Sequence, residues 1–179
     1  MELNIPGIRG VGDSAIYFVD SYEGLTIYDV DFRPIPGVDP HPPAVAGLHW
    51  FGVVQYIDAG RTADWLYFYG RLMGFQPIPQ TQRFGILPKG TLIQSPCRTF
   101  FLQLIEPEPG ADDYVWDEKL HRVGLGAPDV MAAVRELDAR GVGFIDSSAL
   151  HVSERGELTQ QYLGGVLFEL VHDAGPRKP

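Results

Sequence analysis

The chain has 179 residues, of which 45% are hydrophobic and 21% charged, a composition typical of one globular domain with a sizeable core. Its formal net charge of −9 argues against nucleic-acid and membrane-surface partners, because both need a basic footprint. The single cysteine, Cys97, excludes a disulfide within the chain and fits a reducing compartment. The sequence has neither an apolar run of about 18 residues nor the start of a signal peptide, so we expect a cytoplasmic enzyme or binding domain.

The N-terminal part of the chain predicts a hairpin followed by an extended arm. Residues 15–19 and 25–30 are rich in β-branched and aromatic residues and flank a polar turn, a pattern typical of a hairpin. Residues 34–47 hold five prolines, which excludes a helix or a central strand there. We therefore divide the chain into an N-terminal hairpin and proline-rich arm, residues 1–46, and a second domain, residues 47–179.

The second domain begins with a module at residues 47–106. Its first apolar run, residues 48–57, predicts a strand. A helix is predicted for residues 63–72, with Thr62 as the N-cap and Gly74 as the stop. The helical spacing predicts one shared buried face for three residues: Trp65, Tyr69 and Leu72. Further short strands are predicted at 83–87, 90–95 and 99–105.

A second module, residues 119–172, follows an acidic, proline-rich connector. Residues 121–126 predict a strand, Pro128 suits the first helical turn, and the helix is expected to end near Arg140. The apolar stripe of this helix is expected at Val130, Val134 and Leu137. Later strands are predicted at 142–146, 148–152, 157–163 and 165–171.

Each module therefore has the order β-α-β-β-β. One such unit cannot bury both its sheet face and its helix, so we expect the two units to pair. The predicted fold is α+β, with two β-α-β-β-β modules forming a curved, open, mostly antiparallel barrel. The helices are expected outside and a cavity inside, where inward polar side chains would meet.

Each module also opens on a histidine and closes on an apolar strand that holds one polar residue. His49 and His121 are the histidines, and Glu169 is the polar residue of the last strand. Two imidazoles and one carboxylate bind Fe(II) on one face and leave positions open for O2 and substrate. The pattern predicts a metal held between the modules. The alternatives are hydrogen-bonded structural histidines and a glutamate that pairs with an arginine, because a buried carboxylate needs a cation.

Three segments resemble one known family: residues 8–20, 64–75 and 167–171. They are similar to the catalytic C-terminal half of 4-hydroxyphenylpyruvate dioxygenases, members of the vicinal-oxygen-chelate superfamily. The first is similar to the interdomain segment of that family, the second to its first catalytic-domain helix, and the third to its terminal ligand strand.

The resemblance implies an Fe(II)-dependent dioxygenase that acts on an aromatic or related anionic 2-oxo acid. It implies that His49, His121 and Glu169 bind the iron and that Gln160 and Tyr162 contact the substrate. No nucleic-acid or membrane partner is expected. The chain is expected to act as a homo-oligomer or as part of a larger polypeptide.

Two alternatives to a dioxygenase remain open on the sequence. Gln103 is the repeat counterpart of Glu169 and a candidate fourth ligand, which would favour Mg, Mn, Co or Zn and lyase or isomerase chemistry. Residues 84–90 and 162–166 resemble the C-terminal portion of bacterial 3-dehydroshikimate dehydratase fusions. There the domain would be a metal-binding module beside a separate catalytic barrel.

Overall fold

The first predicted run, residues 15–19, forms a hairpin with a segment that precedes it in the chain. The computed structural model describes residues 5–19, 24, 28–29, 32–79, 90–108, 116–145, 156–162 and 164–174. Strand β1 (Gly7–Arg9) pairs antiparallel with β2 (Ala15–Tyr17), and most of the second predicted run, 25–30, lies outside the described residues. A tight turn at Val11–Asp13 joins the two strands, and Gly12 supplies the positive φ of 61° that this turn needs.

In the described part of the chain, seven strands form one mixed sheet in the order β4-β5-β6-β3-β7-β9-β8. Their bounds are β3 (His49–Tyr56), β4 (Gln76–Pro77), β5 (Thr91–Gln94), β6 (Phe101–Ile105), β7 (Lys119–Ala127), β8 (Gly156–Leu158) and β9 (Leu167–His172). The first strands of the two modules, β3 and β7, pair antiparallel at the centre. Each has its own module's last strand as a parallel neighbour, β6 beside β3 and β9 beside β7. The predicted α+β class with two paired modules is confirmed.

One helix follows the first strand of each module. Helix α1 spans Thr62–Met73 and ends at Gly74, whose φ of 72° forms the left-handed cap predicted there. The N-cap of α1 is Arg61 rather than the predicted Thr62, which is the first residue of the helix and donates its backbone N–H to Glu106 Oε1 at 2.8 Å. Helix α2 spans Val130–Ala139, and the Asp129 side chain caps it by accepting from the Ala132 N–H at 2.8 Å.

Both helices pack on the same face of the sheet. Trp65 and Tyr69 of α1 are buried against the β5 and β6 side chains Ile93, Leu102 and Leu104. The Tyr69 hydroxyl donates to Gln55 Oε1 at 2.7 Å, and burial raises its pKa to about 12. Leu72, predicted to share this buried face, is 57% exposed. Helix α2 forms a second cluster, in which Val130 and Ala133 pack with Ala127 and Leu170, and Val134 and Leu137 lie against them.

The hairpin and the first module are in contact. Val11 is fully buried in the cluster under α1. The proposed division of the chain near residue 46 therefore stays a prediction. The strands predicted at 83–87 and 148–152 lie outside the described residues. None of the described helices has the length and apolarity needed to cross a membrane.

Candidate functional site

The inner face of the sheet, which we define as the face opposite the two helices, carries polar side chains near its centre. Strand residues alternate between faces, and Leu102, Leu104 and Leu170 face the helices. Gln103 and Glu169 therefore lie on the inner face. The register places Glu169 beside Gly124 and Leu167 beside Arg122, so Arg122 lies on the inner face as well.

Arg122 and Glu169 form a buried ion pair at the centre of this face. The Arg122 side chain is fully buried and that of Glu169 is 4% exposed. The Nη1 atom of Arg122 lies 3.6 Å from Glu169 Oε2, within ion-pair range but longer than a hydrogen bond. None of the three guanidinium nitrogens has a hydrogen-bond partner among the described residues. The alternative interpretation of Glu169, as the partner of an arginine, matches this geometry.

Gln103 and Glu169 line one small cavity together with the apolar side chains of Phe51, Phe101 and Val171. Its volume is about 20 Å³. A water molecule needs roughly 10–15 Å³ by this measure, whereas small-molecule sites usually have about 300–1,000 Å³. The described residues thus leave room here for about one water molecule and not for an aromatic 2-oxo acid.

The strand register also fixes which residues are equivalent in the two modules. Gln103 of β6 pairs with Val54 of β3, and Glu169 of β9 pairs with Gly124 of β7. Gln103 is therefore the counterpart of Glu169, as the sequence predicts. Two residues earlier on each first strand, Gly52 is the counterpart of Arg122. By the same register the counterpart of His121 is Phe51, so the expected equivalence of His49 and His121 is out of register.

His49 lies at one end of the central strand pair. Its partner across the sheet is Gly126, and a Cβ at Gly126 would come within 2.2 Å of the imidazole Nε2. Nε2 lies 3.1 Å from Asp173 Oδ2, and Nδ1 lies 3.2 Å from the Gly47 carbonyl oxygen. The imidazole ring is thus held between two hydrogen-bond acceptors at the first residue of β3.

His121 lies towards the other end of the same pair. Its neighbours in β7 are Leu120, which pairs with Gln55 of β3, and Arg122, which pairs with Val54. The His121 ring stacks on the Tyr56 ring, with 3.9 Å between the centroids. The Trp116 ring also stacks on Tyr56, with 4.3 Å between the centroids. Burial, followed by the charges of Arg122 and Lys119, lowers the pKa of His121 to about 4.

The structure therefore does not bring the predicted ligands together. Gly126, the partner of His49 across the sheet, lies five positions after His121 in β7. This spacing corresponds to about 17 Å along a strand. Within the described ranges, no three His, Cys, Asp or Glu side chains are close enough to hold one metal ion. Beside Glu169 the inner face offers an amide and a guanidinium, and a guanidinium has donors only and cannot ligate a cation. These residues do not fit the Fe(II) site that the resemblance implies.

The two predicted substrate residues lie at the far end of the second module. The Gln160 N–H donates to the Gly143 carbonyl at 2.9 Å, and the Gly143 N–H donates to the Tyr162 hydroxyl at 2.8 Å. The Tyr162 ring is 6.4 Å from Phe168, a neighbour of Glu169 in sequence that points to the helix face. Gln160 thus bonds the turn after α2 through its backbone, and Tyr162 bonds the same turn through its side chain.

Two features of the structure were not identified from the sequence. One is Arg122. The sequence feature that could have indicated it is the presence of an arginine within an apolar strand, two residues before Gly124. The other is an open groove of about 920 Å³ between the N-terminal hairpin and α1. At its base Glu118 accepts from Trp65 Nε1 and Arg61 Nη1, each at 3.0 Å. Burial raises the pKa of Glu118, but these hydrogen bonds and the Arg61 charge outweigh it, so the pKa is lowered overall.

Comparison with known proteins relates the chain to one group of dioxygenases. Residues 1–33 match the family described as hydroxyphenylpyruvate dioxygenase, N-terminal. The chain is 42% identical to a 4-hydroxyphenylpyruvate dioxygenase from Pseudomonas sp. over 80 residues, 44% of this chain and 22% of that one. It is 29% identical to the enzyme of that name from Pseudomonas aeruginosa over 157 residues, 82% of this chain and 43% of that one. The chain spans less than half the length of these relatives.

Solved structures share the fold. A xylose isomerase-like TIM barrel/4-hydroxyphenylpyruvate dioxygenase fusion protein matches with a TM-score of 0.65 and 20% identity, over 99% of this chain and 34% of that one. Methylmalonyl-CoA epimerase from Mycobacterium tuberculosis matches with a TM-score of 0.52 and 22% identity, over 73% of this chain and 89% of that one. The fold is that of the glyoxalase, or vicinal-oxygen-chelate, type.

Proposed function

We propose that this chain is a dioxygenase-like domain that works without iron, as a non-oxygenase part of a larger polypeptide. The observation that carries the proposal is the buried Arg122, 3.6 Å from Glu169 at the centre of the inner face. A fixed positive charge at this distance repels a divalent cation, and in a buried site the repulsion is weakly screened.

The length of the relatives supports the second half of the proposal. The matched parts of the chain cover 22% and 43% of the two dioxygenases and 34% of the TIM-barrel fusion protein. We propose an arrangement of that fused kind, with this domain beside a barrel such as a 3-dehydroshikimate dehydratase. The barrel would do the chemistry, and this domain would support its assembly or bind a small anionic ligand.

The second candidate function is the Fe(II)-dependent dioxygenase acting on an aromatic 2-oxo acid. It is favoured by the 42% identity to a 4-hydroxyphenylpyruvate dioxygenase over 80 residues. It requires metal ligands that the described part of the chain does not bring together. The small volume of the inner cavity is a second argument against it.

One experiment separates the two candidates. The chain is purified without chelator, its bound metals are measured by mass spectrometry, and O2 uptake is followed after addition of Fe(II) and 4-hydroxyphenylpyruvate or other 2-oxo acids. We expect less than about a tenth of an iron per chain and no O2 uptake above buffer. The Pseudomonas aeruginosa relative, treated in the same way, is the positive control.

The proposal fails if the chain retains about one iron, consumes O2 with a 2-oxo acid, and loses both properties in Glu169→Ala. That result would establish the dioxygenase. Iron that is retained equally by wild type and Glu169→Ala, without O2 uptake, would lie away from the inner face and leave the proposal standing.

A further inference from the structure

The inner face contains its own cation, Arg122, and two positions near it in the central strand pair carry no side chain. Gly124 lies two residues after Arg122 on β7, and Gly52 lies opposite Gly124 on β3. At Gly52 a Cβ would lie only 2.0 Å from the Phe101 carbonyl oxygen, so this position cannot supply a ligand side chain in the present backbone.

The charges at this centre balance without an added ion. Glu169 supplies one negative charge and Arg122 one positive charge, with both side chains at least nine-tenths buried. A buried carboxylate is costly unless a cation compensates it, and a guanidinium is charged at every physiological pH. Gln103, the neutral counterpart of Glu169, adds no charge on the first module's side.

We infer that the Arg122 guanidinium is a permanent replacement for a metal ion: it neutralises Glu169, joins β7 to β9, and makes the centre of this fold metal-independent. The inference rests on the proposed function and names the residue that accounts for it. It assigns Arg122 a positioning role, holding the Glu169 carboxylate and the second module's strands in place.

The first test is a double-mutant cycle on thermal unfolding. Arg122→Met and Glu169→Leu each leave one buried partner uncompensated, so each is expected to lower the Tm by roughly 10 °C. The pair Arg122→Met/Glu169→Leu removes both charges and is expected to lie within about 5 °C of wild type or above it. The exposed pair Arg140–Glu136, at 2.8 Å and with side chains 57% and 42% exposed, is the matched control, with an expected shift below about 2 °C.

If the single variants do not fold, a folded double variant still shows the coupling. Equal losses in the two single variants that simply add in the double variant would overturn the inference. So would an Arg122→Met variant as stable as wild type.

The second test uses metal ions alone. Wild-type Tm is expected to change by less than about 1 °C with 1 mM EDTA or 1 mM CoCl2, since a ligand that binds only the folded state must raise the Tm. A fall of several degrees with EDTA that is absent in Glu169→Gln would show a metal at Glu169 and overturn the inference.

The two proposals fail separately. A chain that neither retains iron nor consumes O2, yet shows no Arg122–Glu169 coupling, would refute this inference and keep the proposed function. Iron-dependent O2 uptake would refute the proposed function whatever the coupling.

Discussion

At the residue scale, one arginine decides what the inner face can do. Sequence reasoning identified Glu169 as a buried carboxylate that needs a cation, and this requirement follows from burial alone. A metal ion and an arginine both satisfy this requirement for a cation. The structure places Arg122 within 3.6 Å of Glu169 and so identifies the cation.

Cys97 is a second residue whose chemistry depends on its neighbours. The thiol lies 3.1 Å from both Ser95 Oγ and Thr99 Oγ1 in an exposed turn. The hydrogen bond with Ser95, and then that with Thr99, lowers the pKa of Cys97 to about 7. These hydrogen bonds stabilise the thiolate form of Cys97.

We therefore predict that Cys97 is alkylated readily at neutral pH. The rate with iodoacetamide should reach half its maximum near pH 7, where an ordinary thiol is still mostly protonated, and should exceed that of glutathione by about tenfold. Ser95→Ala should move the midpoint to higher pH, and this is followed by mass spectrometry of the alkylated chain. An unchanged midpoint in Ser95→Ala would show that the hydroxyl does not stabilise the thiolate.

At the element scale, the antiparallel pairing of β3 with β7 explains the separation of the two histidines. Each histidine stands near the start of its strand, which the sequence predicted correctly. In an antiparallel pair the two strand starts lie at opposite ends. His49 therefore meets Gly126, whereas His121 lies near Tyr56. Similar positions in two strands bring side chains together only when those positions face each other at the centre of the pair.

The close approach of β3 to β6 requires a glycine at position 52. Its added Cβ would lie 2.0 Å from the backbone oxygen of Phe101, which cannot move without shifting β6. At Gly124, directly opposite, the nearest atom to an added Cβ is at 3.3 Å. The two glycines thus differ in the space available, although both have negative φ.

We predict that Gly52→Ala lowers the free energy of unfolding by about 2–3 kcal/mol or more, as overpacking against a backbone atom does. Gly124→Ala, the matched control, should cost less than about 1 kcal/mol. Urea denaturation of both variants measures the difference. Equal losses would mean that β6 can shift away from β3 and that the close approach is not a constraint.

At the scale of the whole molecule, the decrease of the unfolding free energy at acidic pH should depend on His121. Burial, followed by the charges of Arg122 and Lys119, lowers its pKa to about 4, whereas an unfolded histidine titrates near 6.5. The unfolded chain therefore binds this proton first as the pH falls. Stability is complete above about pH 6.5 and is lost as the pH falls towards 4.

We predict a loss of about 1–2 kcal/mol between pH 7 and pH 5 from this group, allowing for its partial exposure. His121→Phe keeps the stack on Tyr56 and removes the titration, so its unfolding free energy should fall less over that range. Urea denaturation at pH 7, 6 and 5 measures both proteins. Parallel pH profiles for the two would show that His121 is protonated as easily in the folded chain.

The sequence by itself determined the two helices, the first and last strand of each module and the alternation of faces, because these depend on local periodicity and on turn residues such as Gly74. It also determined that Gln103 and Glu169 are counterparts. Only the tertiary structure decided that Arg122, and neither histidine, meets Glu169. The reason is that strand register depends on hydrogen bonds between segments distant in the chain, and the shifts at Trp50/Gly52 and Val54/Gln55 change which residues face each other.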